Sequence, residues 1–142
     1  MATAFTTSRR VEFADTDMAG LIHFSSFYRY MEEAEHAFLR SLGTRVFELQ
    51  SDGTTISWPR VSAECTFHAP AYFEDELEVR LSVLRIGRSS LALGYDFWKQ
   101  DTHVASGSIK TVCCRIGDNH EMTAMEIASE FRGLLESAQA SE

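Results

Sequence analysis

The feature that most constrains this chain is a single helical stripe followed by runs of strict alternation. In residues 25–42 the apolar side chains Phe27, Tyr30, Met31, Ala34 and Phe38 recur at three- and four-residue steps, which makes one face of a helix. Ser25 or Ser26 is placed to cap its start, and Gly43 to end it. After it the period changes to two. Val61, Ala63, Cys65 and Phe67 alternate with Ser62, Glu64 and Thr66; Leu77, Val79, Leu81 and Val83 alternate with Glu78, Arg80 and Ser82. Leu91, Leu93, Tyr95 and Phe97 make a third set, and residues 103–116 a fourth, less regular one. These read as strands, and the short turns at Ile86-Gly87-Arg88 and Lys99-Gln100-Asp101 favour an antiparallel meander.

Two further elements complete the order. Val11 and Phe13 share one face of a short strand over residues 9–14. A last helix is expected from Thr123, where Thr123-Ala-Met-Glu126 has the form of a capping box, with Met125, Ala128, Phe131, Leu134 and Leu135 on its apolar face. The order strand, long helix, four strands, helix is α+β, with the helix and a curved sheet burying each other's apolar faces. There is no repeat, linker or low-complexity run, and Pro59 and Pro70 are the only prolines. The 142 residues are read as a single domain (1–142), its ordered part running from about residue 8 to about residue 137.

Composition excludes several functions. A net charge of -8 argues against nucleic acid as the main partner, because phosphate backbones demand a cationic surface. No apolar run approaches the roughly 20 residues of a membrane span, and residues 1–10 lack the apolar core of a secretory signal. Cys65, Cys113 and Cys114 are an odd set without metal-ligand spacing, as expected for reduced thiols in the cytoplasm. Glu33 and His36 share a helical face by their spacing, but nothing completes a metal site. No metal and no cofactor are expected.

The chemistry concentrates in Val11-Glu-Phe13-Ala-Asp15-Thr-Asp17-Met-Ala19-Gly20-Leu-Ile-His23-Phe24-Ser-Ser-Phe27-Tyr28-Arg-Tyr30-Met-Glu-Glu33-Ala34. It resembles the active-site signature of the 4-hydroxybenzoyl-CoA thioesterase-like family. That pattern is an aromatic, one residue, Asp-x-Asp, a small-residue pair containing Gly, two aliphatics, two aromatic-or-His positions, and a helix opening with Tyr. Weaker likeness continues through Pro70–Val79 and Gly87–Leu91. The resemblance implies a hotdog fold, in which an antiparallel five-stranded sheet wraps the central helix at residues 25–42, with a C-terminal helix added.

It also implies an acyl-CoA thioester hydrolase in which Asp17 is nucleophile or general base. An alternative for Asp15 and Asp17 is that of turn residues bonding their own backbone. A carboxylate just ahead of a helix lies in a positive field that favours its ionised form. The leaving thiol, judged from cysteine, has a pKa of about 8.5 and departs without a dedicated acid. The resemblance places the oxyanion donor at the Phe24 N–H, with Gly20 allowing close backbone approach. The turn carrying Arg88, Ser89 and Ser90 is expected at the CoA phosphates, and His23 and Glu33 at the substrate pocket. The alternatives are a solvated turn arginine, a packed imidazole and an exposed helix charge. One branch of the family, associated with the Tol-Pal cluster, carries His at the position of Phe24. Here His23 stands one residue earlier, so that branch's His-assisted mechanism is not carried over.

A homodimer or homotetramer is implied, with the site between subunits and edge strands paired. A hotdog hydratase or dehydratase using Asp17 and His23, and a non-catalytic acyl-CoA-binding module, are the competing readings. The Asp-Thr-Asp-x-Ala-Gly loop speaks against both. The acyl group is left open, as is an acyl carrier protein in place of CoA.

Overall fold

A computed structural model describes residues 2–140. In chain order the elements are β1 (Phe5–Arg10), α1 (Ser26–Ser41), β2 (Phe47–Leu49), β3 (Thr55–Ser57), β4 (Arg60–Phe67), β5 (Glu76–Ile86), β6 (Ser90–Lys99), β7 (Thr102–Val112), β8 (Cys114–Ile116), β9 (Met122–Ala124) and α2 (Ser129–Ala140). Five of the strands form one antiparallel sheet in the order β1-β5-β6-β7-β4. The consecutive hairpins β5-β6-β7 are the expected meander. A second antiparallel sheet, β2-β3-β8-β9, is built from three-residue strands that the alternation did not announce. The described residues are α+β with two α-helices.

The inward residues of the meander are those of the period-two pattern. Leu77, Val79, Leu81, Val83, Leu91, Leu93, Tyr95 and Phe97 are all buried, and the α1 stripe of Phe27, Tyr30, Met31, Ala34 and Phe38 is buried with them. Phe27 meets Phe97 edge-on at 5.3 Å between centroids, a favoured geometry for aromatic pairs. The helix passes so close over β7 that a Cβ on Gly107 would lie 2.7 Å from Met31 Sδ and 2.8 Å from the Glu64 carbonyl. Only glycine fits that crossing. At the end of α1, Gly43 takes φ +81°, and the Gly43 and Thr44 N–H groups return to the Arg40 and Leu39 carbonyls, both at 3.0 Å. This is a Schellman termination at the expected residue.

Three expectations are corrected. The strand placed at residues 9–14 lies at 5–10, and Phe13–Asp15 form a single 3-10 turn that leaves Phe13 79% exposed while Val11 is in the core. The cause is Asp15, whose N–H reaches the Glu12 carbonyl and whose carboxylate accepts the Glu12 N–H, pulling the chain out of extension. Neither serine caps α1 by its side chain. Ser25 Oγ bonds His23 Nδ1, and Ser26 Oγ donates to the Asp15 carbonyl. The C-terminal helix does not start at Thr123, because Met122–Ala124 pair with Cys114–Ile116 and the Met125 and Ile127 N–H groups bond the Cys113 and Arg88 carbonyls. That backbone pairing outweighs a local capping signal. α2 then docks through Leu135, fully buried, and through Phe131 against Trp58.

Candidate active site

The loop between β1 and α1 is built around Asp15, which is 1% exposed. Its carboxylate accepts from Arg29 (2.9 Å), the Tyr30 hydroxyl (2.8 Å), the Glu12 N–H (3.0 Å) and Arg9 (3.1 Å). Its carbonyl accepts from the His23 N–H (2.8 Å) and Ser26 Oγ (2.9 Å). Burial by itself raises this carboxyl. The donated hydrogen bonds and the Arg9 charge outweigh it and hold Asp15 down at about 2. Tyr30 is pushed up by the same burial and by its bond to Asp15. One buried carboxylate thus ties β1, the loop and the first turns of α1 together.

From that anchor the chain turns back on itself. The Asp17 N–H donates to the Leu21 carbonyl (2.8 Å) and the Gly20 N–H to the Asp17 carbonyl (3.0 Å). Gly20 has φ +82°, and a Cβ added there would meet nothing within 4 Å. The backbone angle, rather than the close approach expected from the sequence, is what calls for glycine there. The loop is pinned to the chain after β4 by the Ile22 N–H on the Ala71 carbonyl (2.9 Å).

Asp17 is exposed. Its Oδ1 accepts from the Ala19 N–H (2.9 Å) and the Leu21 N–H (3.3 Å). It is therefore a turn aspartate in its own bonding, and an accessible carboxylate as well. Phe24, 62% exposed, ends the loop. Its carbonyl accepts from Phe27, while its N–H meets no acceptor among the described residues. His23 Nδ1 lies 2.8 Å from Ser25 Oγ, and its ring stacks on Phe24 at 4.6 Å. The imidazole thus stiffens the start of the helix.

Beside the loop is a cleft of about 330 Å³, walled by Leu21, Ile22, Phe24, Phe27 and Phe67 and floored by residues 68–71. Its character is apolar and aromatic. The sequence pattern places Phe67 on a strand face and gives His68 no role; both come to the cleft because β4 ends beside the loop. The network of Asp15, Arg9, Arg29 and Tyr30 was not legible either. The alternation of charged and aromatic residues at the start of α1 gave no sign that two of them, Arg29 and Tyr30, converge with Arg9 of β1 on one carboxylate.

The remaining candidates lie elsewhere in the chain's own fold. Glu33 is held by Arg9, with Nε to Oε1 at 2.7 Å and Nη2 to Oε2 at 3.2 Å. Arg88 sits exposed in the β5–β6 turn, its carbonyl accepting from Ile127 and Arg132. Ser89 accepts the Cys113 N–H on its carbonyl (2.7 Å), and Ser90 opens β6. No helix among the described residues is long and apolar enough to cross a membrane.

Comparison with known proteins bears on the fold and the family. The thioesterase superfamily profile matches residues 19–106. A gentisyl-coenzyme A thioesterase of known structure is 34% identical, with a TM-score of 0.78 over 90% of this chain and 99% of its own. A protein of Aquifex aeolicus is 30% identical, with a TM-score of 0.80 over 92% and 98%. The 1,4-dihydroxy-2-naphthoyl-CoA hydrolase of Synechococcus elongatus is 30% identical over 74% of this chain and 77% of its own.

Proposed function

The chain belongs to the thioesterase superfamily, and from that premise we propose that it hydrolyses an acyl-CoA to a free carboxylate and CoA, with Asp17 as the reacting carboxylate. The observation that supports this is one loop that carries an exposed Asp17 carboxylate and an unengaged Phe24 N–H, and whose Leu21, Ile22 and Phe24 line an apolar cleft. The acyl group occupies the cleft and its carbonyl oxygen takes the Phe24 N–H. Asp17 attacks that carbonyl or draws a proton from water. Charge developing on the oxygen is met by a donor already in place. Gly20 sets the turn that aims Asp17, and His23 braces Phe24. The thiolate of CoA leaves unaided.

The aromatic walls suit an aromatic acyl group, in keeping with the gentisyl and dihydroxynaphthoyl groups in the relatives' names. We read the sheet as a hotdog sheet wrapped on α1 as its central helix. The exposed edge strand β4, with Val61 and Phe67 uncovered, supports pairing with a second copy. Arg88, with Ser89 and Ser90, holds the CoA phosphates, for which a guanidinium has both charge and geometry. Glu33 contributes to a pocket shared with a neighbouring subunit. No acid–base step is asked of a cofactor or a metal. Three free cysteines are consistent with a cytoplasmic protein.

The test is thiol release from a panel of aromatic and aliphatic acyl-CoAs, by the parent and Asp17→Ala. Cleavage by the parent, with a loss of at least about a hundredfold in the variant, is the expected result. Full activity in Asp17→Ala sinks the assignment.

A further inference from the structure

A second cleft, of about 660 Å³ against about 330 Å³ for the one beside the loop, opens at the other end of α1. Its walls are His36 and Arg40, one helical turn apart on α1, and Thr44, Arg45, Val46 and Phe47 from the chain leaving the helix. Gly43, at φ +81°, turns that chain back beside the last turn. The two clefts share no lining residue. By the helical rise, His36 stands about 15 Å along α1 from Ser26, where the active-site loop ends.

What sets this cleft apart is cationic charge without acceptors. The chain has 21 acidic and 13 basic side chains, and most of the basic ones are engaged: Arg60 holds Glu35, Arg80 holds Glu78 and Arg115 holds Asp52. Arg40 and Arg45 are not; neither guanidinium has a hydrogen bond or ion pair among the described residues. No carboxylate lines the cleft. Glu48, the first acid after α1, turns its Oε1 to the Thr44 hydroxyl (2.6 Å) and the Arg45 N–H (3.3 Å). Glu35, 3.8 Å from His36 Nε2, is taken up by Arg60. The last carbonyls of α1 offer no substitute, since those of Phe38, Leu39 and Arg40 accept from the Leu42, Thr44 and Gly43 N–H groups. The helix dipole accounts for a cation in the last turn, at Arg40. It does not account for a second one at Arg45, beyond the cap.

Two guanidiniums without acceptors suit an oxyanion, and phosphate matches their planar fork in charge and geometry. A bare phosphate would leave most of the volume and the rest of the wall unused. Phe47 is 61% exposed beside Val46, and an uncovered aromatic is a stacking surface for a flat ring, as nucleic-acid bases use it. The cleft is also of the size that takes a small organic ligand. We propose that it is a binding site for a nucleoside phosphate, with Arg40 and Arg45 on the phosphates and Phe47 against the base. Two sources carry those groups, a free nucleotide and the nucleotide end of CoA. With the CoA phosphates assigned to Arg88, a free nucleotide is the expected one. Binding here is separate from the bond-breaking step and does not depend on it.

The experiment titrates the full chain with ADP, adenosine and inorganic pyrophosphate by isothermal calorimetry, for the parent, Arg40→Ala/Arg45→Ala, Phe47→Ala and Lys110→Ala. The parent is expected to bind ADP with a Kd below about 1 mM, and pyrophosphate and adenosine each at least about tenfold more weakly. The double variant weakens ADP by about tenfold or more, as loss of two charge-assisted contacts should. Phe47→Ala brings ADP down to the level of pyrophosphate. Lys110→Ala, which removes an exposed and equally unpartnered cation outside the cleft, stays within about twofold, because general charge attraction is weak and screened. No ADP binding by the parent overturns the proposal. So does unchanged binding in the double variant, an equal loss in Lys110→Ala, or pyrophosphate bound as tightly as ADP. Thiol release from an acyl-CoA and from the pantetheine thioester of the same acyl group separates the two sources. With a free nucleotide the double variant leaves both KM values unchanged; with the nucleotide end of CoA, KM rises about tenfold for the acyl-CoA alone. A parent that releases thiol from neither overturns the thioesterase reading, while the calorimetry decides the nucleotide site by itself.

Discussion

Replacing Asp15 by Asn tests whether one buried carboxylate organises the active-site loop. The exchange keeps the shape and removes the charge that four donors address. A carboxyl held at about 2, against 3.8 for the ordinary group, favours its ionised form by about 2.4 kcal/mol, at about 1.4 kcal/mol for each tenfold. The amide also turns an N–H₂ toward Arg9, Arg29 or Tyr30, leaving buried donors unpaired. The expected cost at neutral pH is therefore about 2–4 kcal/mol, measured by urea unfolding. The pH dependence distinguishes this account from simple misfit. Because the folded-state value is depressed, the ionised group's stabilisation is complete above 3.8 and is lost as pH falls toward 2. The stability gap between parent and variant should be constant from neutral pH to about 5. It should then narrow by roughly 2 kcal/mol on approaching pH 2. A cost below about 0.5 kcal/mol, the ordinary range of surface substitutions, would refute the reasoning. A gap independent of pH would do the same.

Two further outcomes follow from packing. Gly107→Ala places a methyl 2.7 Å from Met31 Sδ and 2.8 Å from a backbone oxygen, and should lower the urea midpoint by the equivalent of about 1–3 kcal/mol; an unchanged midpoint would mean that α1 does not press on β7 there. Tyr95→Phe removes a buried hydroxyl that has no partner among the described residues, so stability should be unchanged or higher by up to about 1 kcal/mol. A clear loss in that variant would show that the hydroxyl is satisfied in solution, with the adjoining Glu35–Arg60 pair the first place to look.

The alternation and the helical stripe determined most of the architecture. A period of two in residues 61–67, 77–83 and 91–97 and a stripe through Phe27, Tyr30, Met31, Ala34 and Phe38 depend only on which side chains must leave water. The stripe and the last two of those runs form the core in the structure, while the run at 61–67 became the edge strand β4, with Cys65 packed against that core and Phe67 against Phe27. The Asp-x-Asp–Ala-Gly–His-Phe loop was legible too, because its turn chemistry and its family likeness are local in sequence. What only the tertiary structure decided is non-local. Thr123 and its capping box became a strand because β8 lay within reach of its backbone. Residues 9–14 were re-registered because Asp15 met Arg29 and Tyr30 from the next helix and turned the chain early. Gly107 gave no sign in sequence of the helix crossing above it. His68 carried no motif at all. Its ring found partners only when β7 brought His103 and Ser106 alongside it. Burial patterns are written residue by residue, whereas the partners of a polar group belong to whichever strands and helices the fold brings beside it.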